Sequence, residues 1–272
     1  HEADPNHPMA VMMREPNSFP LFGPFFSASG ISHFASHRPW RLGEKVAAHL
    51  ERSDGQQFWV TAPTFVYATN TPEWSTVPEI RLMLNQAFAN GARGWFAFTY
   101  HNDPIWLDGS CQRSLTGPFL TFSDLWSELG HRISRFAAMA PLFLQARPTD
   151  HPPLDINLDV GTHARSTRPE HVPPVEMCWL NGPDYDLLYI ITNDVSEVTA
   201  VYLRLPDDMA SDLAAYDVTE FLRGASWAPM ERTRHLEMFP GQGQLLLFAR
   251  ESVATRWRDV LTAQLTRLNR QQ

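Results

Sequence analysis

Residues 76–101, TVPEIRLMLNQAFANGARGWFAFTYH, constrain the fold of this chain most, because they spell a helix, a stop and a buried strand with polar residues at its tip. Thr76 and Glu79 stand at capping-box spacing, where a hydroxyl and a carboxylate each satisfy an amide that the first helical turn leaves unbonded. Pro78 falls in that first turn, where its missing N–H costs nothing. Ile80, Met83, Leu84, Ala87 and Phe88 then recur at helical spacing and draw one apolar stripe. Gly91 can take the left-handed conformation that commonly closes a helix. Residues 94–100 are almost wholly apolar or aromatic, as in a strand covered on both faces. His101, Asn102 and Asp103 follow at once. A helix feeding such a strand is the repeat of a parallel α/β fold.

Three earlier runs repeat the theme. Residues 9–13 (MAVMM) are apolar and stop at Arg14, Glu15 and Pro16, and residues 31–35 (ISHFA) lead to Ser36, His37 and Arg38. Residues 58–65 (FWVTAPTF) form the third, preceded by a predicted helix over 42–52. Strand starts near residues 9, 31, 58 and 94 lie 22, 27 and 36 residues apart. A (β/α)8 barrel of about 250 residues uses about 30 per unit, so residues 1–146 read as half a barrel.

Composition changes beyond the next helix, predicted over 122–144 with Leu125, Trp126, Leu129, Ile133 and Phe136 on one stripe. Proline and polar residues dominate 147–174, which read as a linker. From 175 to 250 the pattern alternates and turns as a small antiparallel β-sandwich should, with GPD at 182–184, TND at 192–194 and PGQG at 240–243 as turn signals. Strands are expected over 187–193, 198–205, 215–221 and 238–248. Residues 251–272 read as a C-terminal helix with Val253, Trp257, Val260, Leu261, Leu265 and Leu268 on one side, a stripe that needs a neighbour to cover it.

On these residues the chain resembles a known family. His7-Pro8, FWVTAPTF at 58–65, PEIRLMLNQAFANGARGWFAFTY at 78–100 and MAPLFLQ at 139–145 are similar to the last four strands of glycoside-hydrolase (β/α)8 barrels of the β-galactosidase-like type, and the strands after 175 are similar to the β-sandwich that follows such barrels. The resemblance covers residues 1 to about 250 and rests on structural motifs. It implies a partial TIM (β/α)8 barrel, the last four βα units, followed by a small antiparallel β-sandwich and a helix. It also implies a carbohydrate substrate at the C-terminal face of the barrel. Glycoside hydrolysis uses two carboxyl groups across the scissile bond. In the large clan of retaining barrels the acid/base ends the fourth strand and the nucleophile ends the seventh. The fourth strand is absent from this chain, and the strand matching the seventh carries Thr61, Pro63, Thr64 and Tyr67 with no carboxylate before Glu73, so the usual nucleophile is not carried over.

Other residues at predicted strand ends supply the candidates. Glu15 follows the first strand and Asp103 the fourth, and both open onto one face of the barrel as candidate catalytic carboxyls. The structural alternatives are an ion pair of Glu15 with Arg14 or Arg38 and a turn cap by Asp103 ahead of Pro104. His37, His101 and Asn102 are candidates for binding sugar hydroxyls, while His33, within an apolar run, reads equally as a core residue. Trp40, Tyr67, Trp74 and Trp106 fall in or beside predicted loops, where flat rings stack on the C–H faces of sugars. Trp59, Trp95 and Trp126 read as packing residues.

The 272 residues carry a net charge of −8, which disfavours a nucleic-acid backbone as partner. Cys111 and Cys178 stand 67 residues apart with no CxxC motif, and no metal or other cofactor is called for. No apolar run reaches the 18 residues a membrane span needs, so the chain reads as soluble, with secretion or the periplasm as open options. The start, HEADPNHP, has no apolar signal-peptide core, and opening on His1 points to a processed chain, a fragment or trimmed numbering. Four parallel units leave two sheet edges bare, so an upstream barrel half or a second protein chain is the expected partner. Two alternatives stand beside the hydrolase. One is a non-catalytic carbohydrate-binding or assembly module derived from a glycosidase scaffold, and the other is an unrelated α/β enzyme using His101 and Asp103.

Overall fold

Four strands, β1 (Ala10–Met13), β2 (Ala28–Ser32), β3 (Gln57–Pro63) and β4 (Gly94–Phe98), pair in sequence order into one wholly parallel sheet. Parallel neighbours cannot be joined by a tight turn, so each return to the sheet needs a crossover. A short helix, α1 (Phe19–Phe22), lies in the first, α2 (Leu42–Leu50) in the second and α3 (Val77–Ala89) in the third. This computed structural model describes residues 9–33, 39–53, 57–64, 76–98, 115, 123–161, 166 and 168–270, within two compact units, His1–Leu129 and Gly130–Gln272. The fourth helix, the long α4 (Asp124–Gln145), contains the division between them.

The third crossover forms as its residues dictate. The Thr76 N–H donates to Glu79 Oε2 at 2.6 Å and the Glu79 N–H donates to Thr76 Oγ1 at 3.4 Å, completing the capping box. Gly91 adopts φ 100°, the left-handed geometry that ends α3. Gly94 has a different reason to be glycine: a Cβ there would stand 2.6 Å from Trp59 Cδ1, because the indole of β3 lies against β4.

The ladders give the sheet two unlike faces. Ser29, Ile31, Phe58, Val60 and Ala62 share one face and are all buried. His49 of α2 meets that face, with Nε2 3.0 Å from Ser29 Oγ and its ring between Phe19 and Phe58 at centroid distances of 5.2 and 4.4 Å. On the other face lie Trp59, Phe96 and Phe98, the last two 50% and 41% exposed. The second strand begins three residues before the expected start at 31, because Ala28 pairs with both Ala10 and Gln57.

In the second unit two antiparallel sheets are built from β5 (Arg147–Thr149), β6 (Asn157–Val160), β7 (Val175–Asn181), β8 (Asp186–Thr192), β9 (Thr199–Arg204), β10 (Leu213–Asp217), β11 (Thr233–Met238) and β12 (Gly243–Arg250). One sheet has the order β10-β12-β8-β7-β5 and the other β11-β9-β6. Trp179, Leu188, Ile190 and Phe248 of the first share one buried cluster with Val201, Leu203, Leu236 and Met238 of the second. Residues 147–174, read from the sequence as a linker, contain β5 and β6, which are paired with β7 and β9. Pro148 sits in β5 itself, which as an edge strand tolerates a proline, and the other prolines lie outside the strands, so the composition masks two edge strands. The run 215–221 divides at Asp217, which caps a short helix, α5 (Val218–Phe221), by accepting the Glu220 N–H at 2.9 Å. The run 238–248 is likewise two strands with a turn at 239–242.

The last helix, α6 (Glu251–Asn269), buries Ala254, Trp257 and Leu261. Trp257 meets Tyr185 edge-on at 5.1 Å, and Arg256 Nη2 holds both oxygens of Asp184 at 2.8 and 2.9 Å. The β7–β8 turn thus meets the stripe at Trp257, while Val253, Val260, Leu265 and Leu268, expected on the same side, are only half-buried. In α4, Phe136, Met139 and Phe143 are buried, whereas Trp126 and Ile133, expected on the packed stripe, are each 37% exposed.

Burial, with the Arg52 guanidinium nearby, lowers the His49 pKa from 6.5 to about 4. Unfolded, this histidine takes up its proton below about pH 6.5; folded, only near 4, so the unfolded state binds more protons in that window. Stability contributed by neutral His49 should therefore fall by about 3 kcal/mol as pH drops from 6.5 to 4. Urea unfolding across that range checks it, and His49→Gln should flatten the fall. In the second unit, Leu246→Ala should cost about 2–5 kcal/mol by leaving a cavity in the shared cluster, read as a lower denaturation midpoint.

Candidate functional site

In a parallel sheet flanked by helices, side chains just past the C-terminal strand ends face a common opening. Here those positions hold Arg14 and Glu15 after β1, His33 after β2 and Thr64 after β3. The ladder continues past the strand ends: the His33 N–H donates to the Thr61 carbonyl at 2.9 Å and the Thr64 N–H to the Phe98 carbonyl at 2.7 Å. Adjacent tips are therefore locked in register by the backbone.

Glu15 stands at the first tip. Its Oε1 accepts from Lys45 Nζ of α2 at 3.2 Å, with the glutamate side chain 55% exposed. The turn after β1 carries Glu15 toward the first half of α2, where it pairs with Lys45; Arg38, one of the partners anticipated for it, lies outside the described residues. Among the described residues that follow β1, β2 and β3, Glu15 is the one carboxylate within two positions of a strand end.

Trp40 lies in a short 3-10 turn (Pro39–Arg41) leading into α2. Buried Gln86 of α3 fixes that turn from beneath: its Nε2 donates to the Trp40 carbonyl at 3.1 Å and its Oε1 accepts the Gly43 N–H at 3.3 Å. Two helices and a tip loop are joined by one amide. Sequence periodicity put Gln86 off the apolar stripe of α3 and gave no hint of this role. His33, the residue with two readings, is 1% exposed and therefore part of the interior. Trp59 is half-buried and meets Phe96 edge-on at 5.4 Å. The candidates His37, Tyr67, Trp74, His101, Asn102, Asp103 and Trp106 lie outside the described residues, as do Glu73 and Asp108.

The arrangement provides one carboxylate beside an ammonium, with an indole-bearing turn on the neighbouring loop. Such a group can accept hydrogen bonds from hydroxyls and can stabilise positive charge in a bound molecule. Because the Glu15–Lys45 pair is exposed, Glu15→Gln should change stability by less than about 1 kcal/mol. Thermal melting of that variant checks the expectation.

No family model matches the chain, and no curated protein matches it. Among solved structures it is similar to a GH30 endoxylanase from Clostridium papyrosolvens C71, with 12% identity and a TM-score of 0.36 over 83% of this chain and 49% of that one. A GH51 arabinofuranosidase from Xanthomonas axonopodis pv. citri gives 9% identity and a TM-score of 0.44 over 88% of this chain and 57% of its own. An Anoxybacillus alpha-amylase gives 7% and 0.42 over 87% and 55%. The chain spans about half the length of these structures, and likenesses this weak carry no weight for fold or reaction.

Proposed function

We propose that this chain is part of a carbohydrate-active, glycoside hydrolase-like enzyme that acts on glycosidic bonds at the C-terminal ends of β1–β4. In this reading the first unit is the C-terminal half of a (β/α)8 barrel of the β-galactosidase-like type, and the second is its β-sandwich with a closing helix. The carrying observation is the parallel sheet in unbroken sequence order with a polar residue at every described tip, the arrangement that places chemistry in (β/α)8 barrels.

Asp103 and Glu15 are the proposed catalytic carboxyls, one protonating the leaving oxygen and the other attacking the sugar carbon or activating water. His101, Asn102, His37, Tyr67, Trp40, Trp74 and Trp106 are the proposed substrate contacts. Either an upstream barrel half or a second protein chain completes the sheet. Support comes from β1 and β4, which have no outer neighbour among the described residues, and from the exposed rings of Phe96 and Phe98.

A specific observation favours the alternative, a non-catalytic carbohydrate-binding or assembly module. The described tips offer a single carboxylate, already ion-paired with Lys45, and the β3 tip offers Thr64 where the resemblance asks for an acid.

Hydrolysis of a panel of nitrophenyl glycosides and oligosaccharides separates the two. For the enzyme, Asp103→Asn and Glu15→Gln should each lower kcat about 10²- to 10⁴-fold while melting is retained. Saccharide binding without turnover would instead establish the module. Native mass spectrometry of the isolated protein should show a second polypeptide or a second copy, and a lone 31.0 kDa species would defeat the half-barrel reading.

A further inference from the structure

A cleft of about 350 Å³ lies wholly within the second unit, between the end of β10 and the start of β11. Its volume falls within the roughly 300–1,000 Å³ of small-molecule sites. One wall is the segment after α5. The chain reverses at Gly224, with φ 101°, and returns along β10, where Pro229 bridges to Tyr216 and the Met230 N–H donates to the Ala215 carbonyl at 2.7 Å. This wall is held by backbone bonds, so the cleft is formed in advance of any ligand.

Its polar groups are equally fixed. Asp217 is buried, and both its oxygens are occupied: Gln244 Nε2 lies 2.7 Å from each, the Glu220 N–H 2.9 Å from Oδ1 and Arg234 Nη2 3.1 Å from Oδ2. Asp217 is therefore a positioning residue that aims the Arg234 guanidinium. A guanidinium has five N–H donors, more than this carboxylate takes up. Ser226, Thr233, Glu231 and Glu220 add two hydroxyls and two carboxylates to the lining, with Glu220 ion-paired to Arg223. Trp227 also lines the cleft, its ring stacked on Tyr216 at 5.1 Å and 14° and met edge-on by Phe221 at 5.0 Å. Trp227 Nε1 is buried and has no partner among the described residues.

We propose that this cleft is a binding site for a neutral saccharide, with Trp227 against the sugar's C–H face and Arg234, Glu231, Ser226 and Thr233 reading its hydroxyls. The charge pattern selects this class. An anion would face Glu231 and Glu220, a cation would face Arg234, and a neutral polyol uses donors and acceptors together. The aromatic wall adds the contact that sugar rings favour over smaller polyols. The site belongs to other residues than the strand tips and holds whether or not those tips hydrolyse anything.

The test titrates the full chain with xylohexaose, cellohexaose and maltohexaose to about 10 mM, followed by calorimetry and tryptophan fluorescence. At least one should bind, and Trp227→Leu and Glu231→Ala should each weaken it about tenfold or more, the second with an unchanged melting curve. Asp103→Asn should leave it unchanged. Binding by none of the three, binding that survives both cleft substitutions, or binding lost only in Asp103→Asn would each overturn the proposal.

Discussion

Everything in the first unit follows from the need of parallel strands for a crossover. Each return from one strand end to the next strand start takes a helix, and that helix must cover apolar surface. His49 and Phe58 show α2 on one face of the sheet, where Ser29, Ile31, Val60 and Ala62 are also buried. The opposite face keeps Phe96 and Phe98 exposed. The same constraint brings the polar residues after β1, β2 and β3 to one end, because strands that point the same way finish on the same side.

That end is ordered by backbone and amide bonds more than by charge. The His33 and Thr64 amides extend the ladder beyond the strands, and Gln86 ties the Trp40 turn to α3. Glu15 and Lys45 form an exposed pair, which adds little to stability and leaves Glu15 accessible to a ligand. Rigid support beneath a polar rim suits recognition, since a residue held by buried bonds loses little freedom on binding.

The second unit solves a different problem. Its strands run antiparallel, a short turn joins the paired neighbours β7 and β8, and two sheets bury one apolar cluster between them, with the short helix α5 in the connection from β10 to β11. A polar hub stands at the end of β10. Asp217 joins β10, α5, β11 and β12 through Glu220, Arg234 and Gln244. Burial raises its pKa, while the Glu220 amide, Arg234 and Gln244 pull it down, so its bonds offset part of the cost of enclosing a carboxylate.

Local signals in the sequence determined the elements whose cause is local. The Thr76–Glu79 box, the Gly91 stop, the stripe of α3 and the apolar run of β4 all act within a few residues, and each forms where the residues require it. Glu15 at a strand tip was legible for the same reason, since an apolar run that ends in charge marks where a buried strand emerges. Tertiary structure alone decided the start of β2 at Ala28, which hangs on two ladders; the pairing of β5 and β6, whose prolines read as a linker; and the choice of Lys45 as the partner of Glu15. It also turned Gln86 from a polar interruption into a clamp and gathered Asp217, Gln244 and Arg234 from three strands. The physical reason is common to these cases: each depends on atoms distant in sequence, and no spacing along the chain encodes which distant atoms will meet.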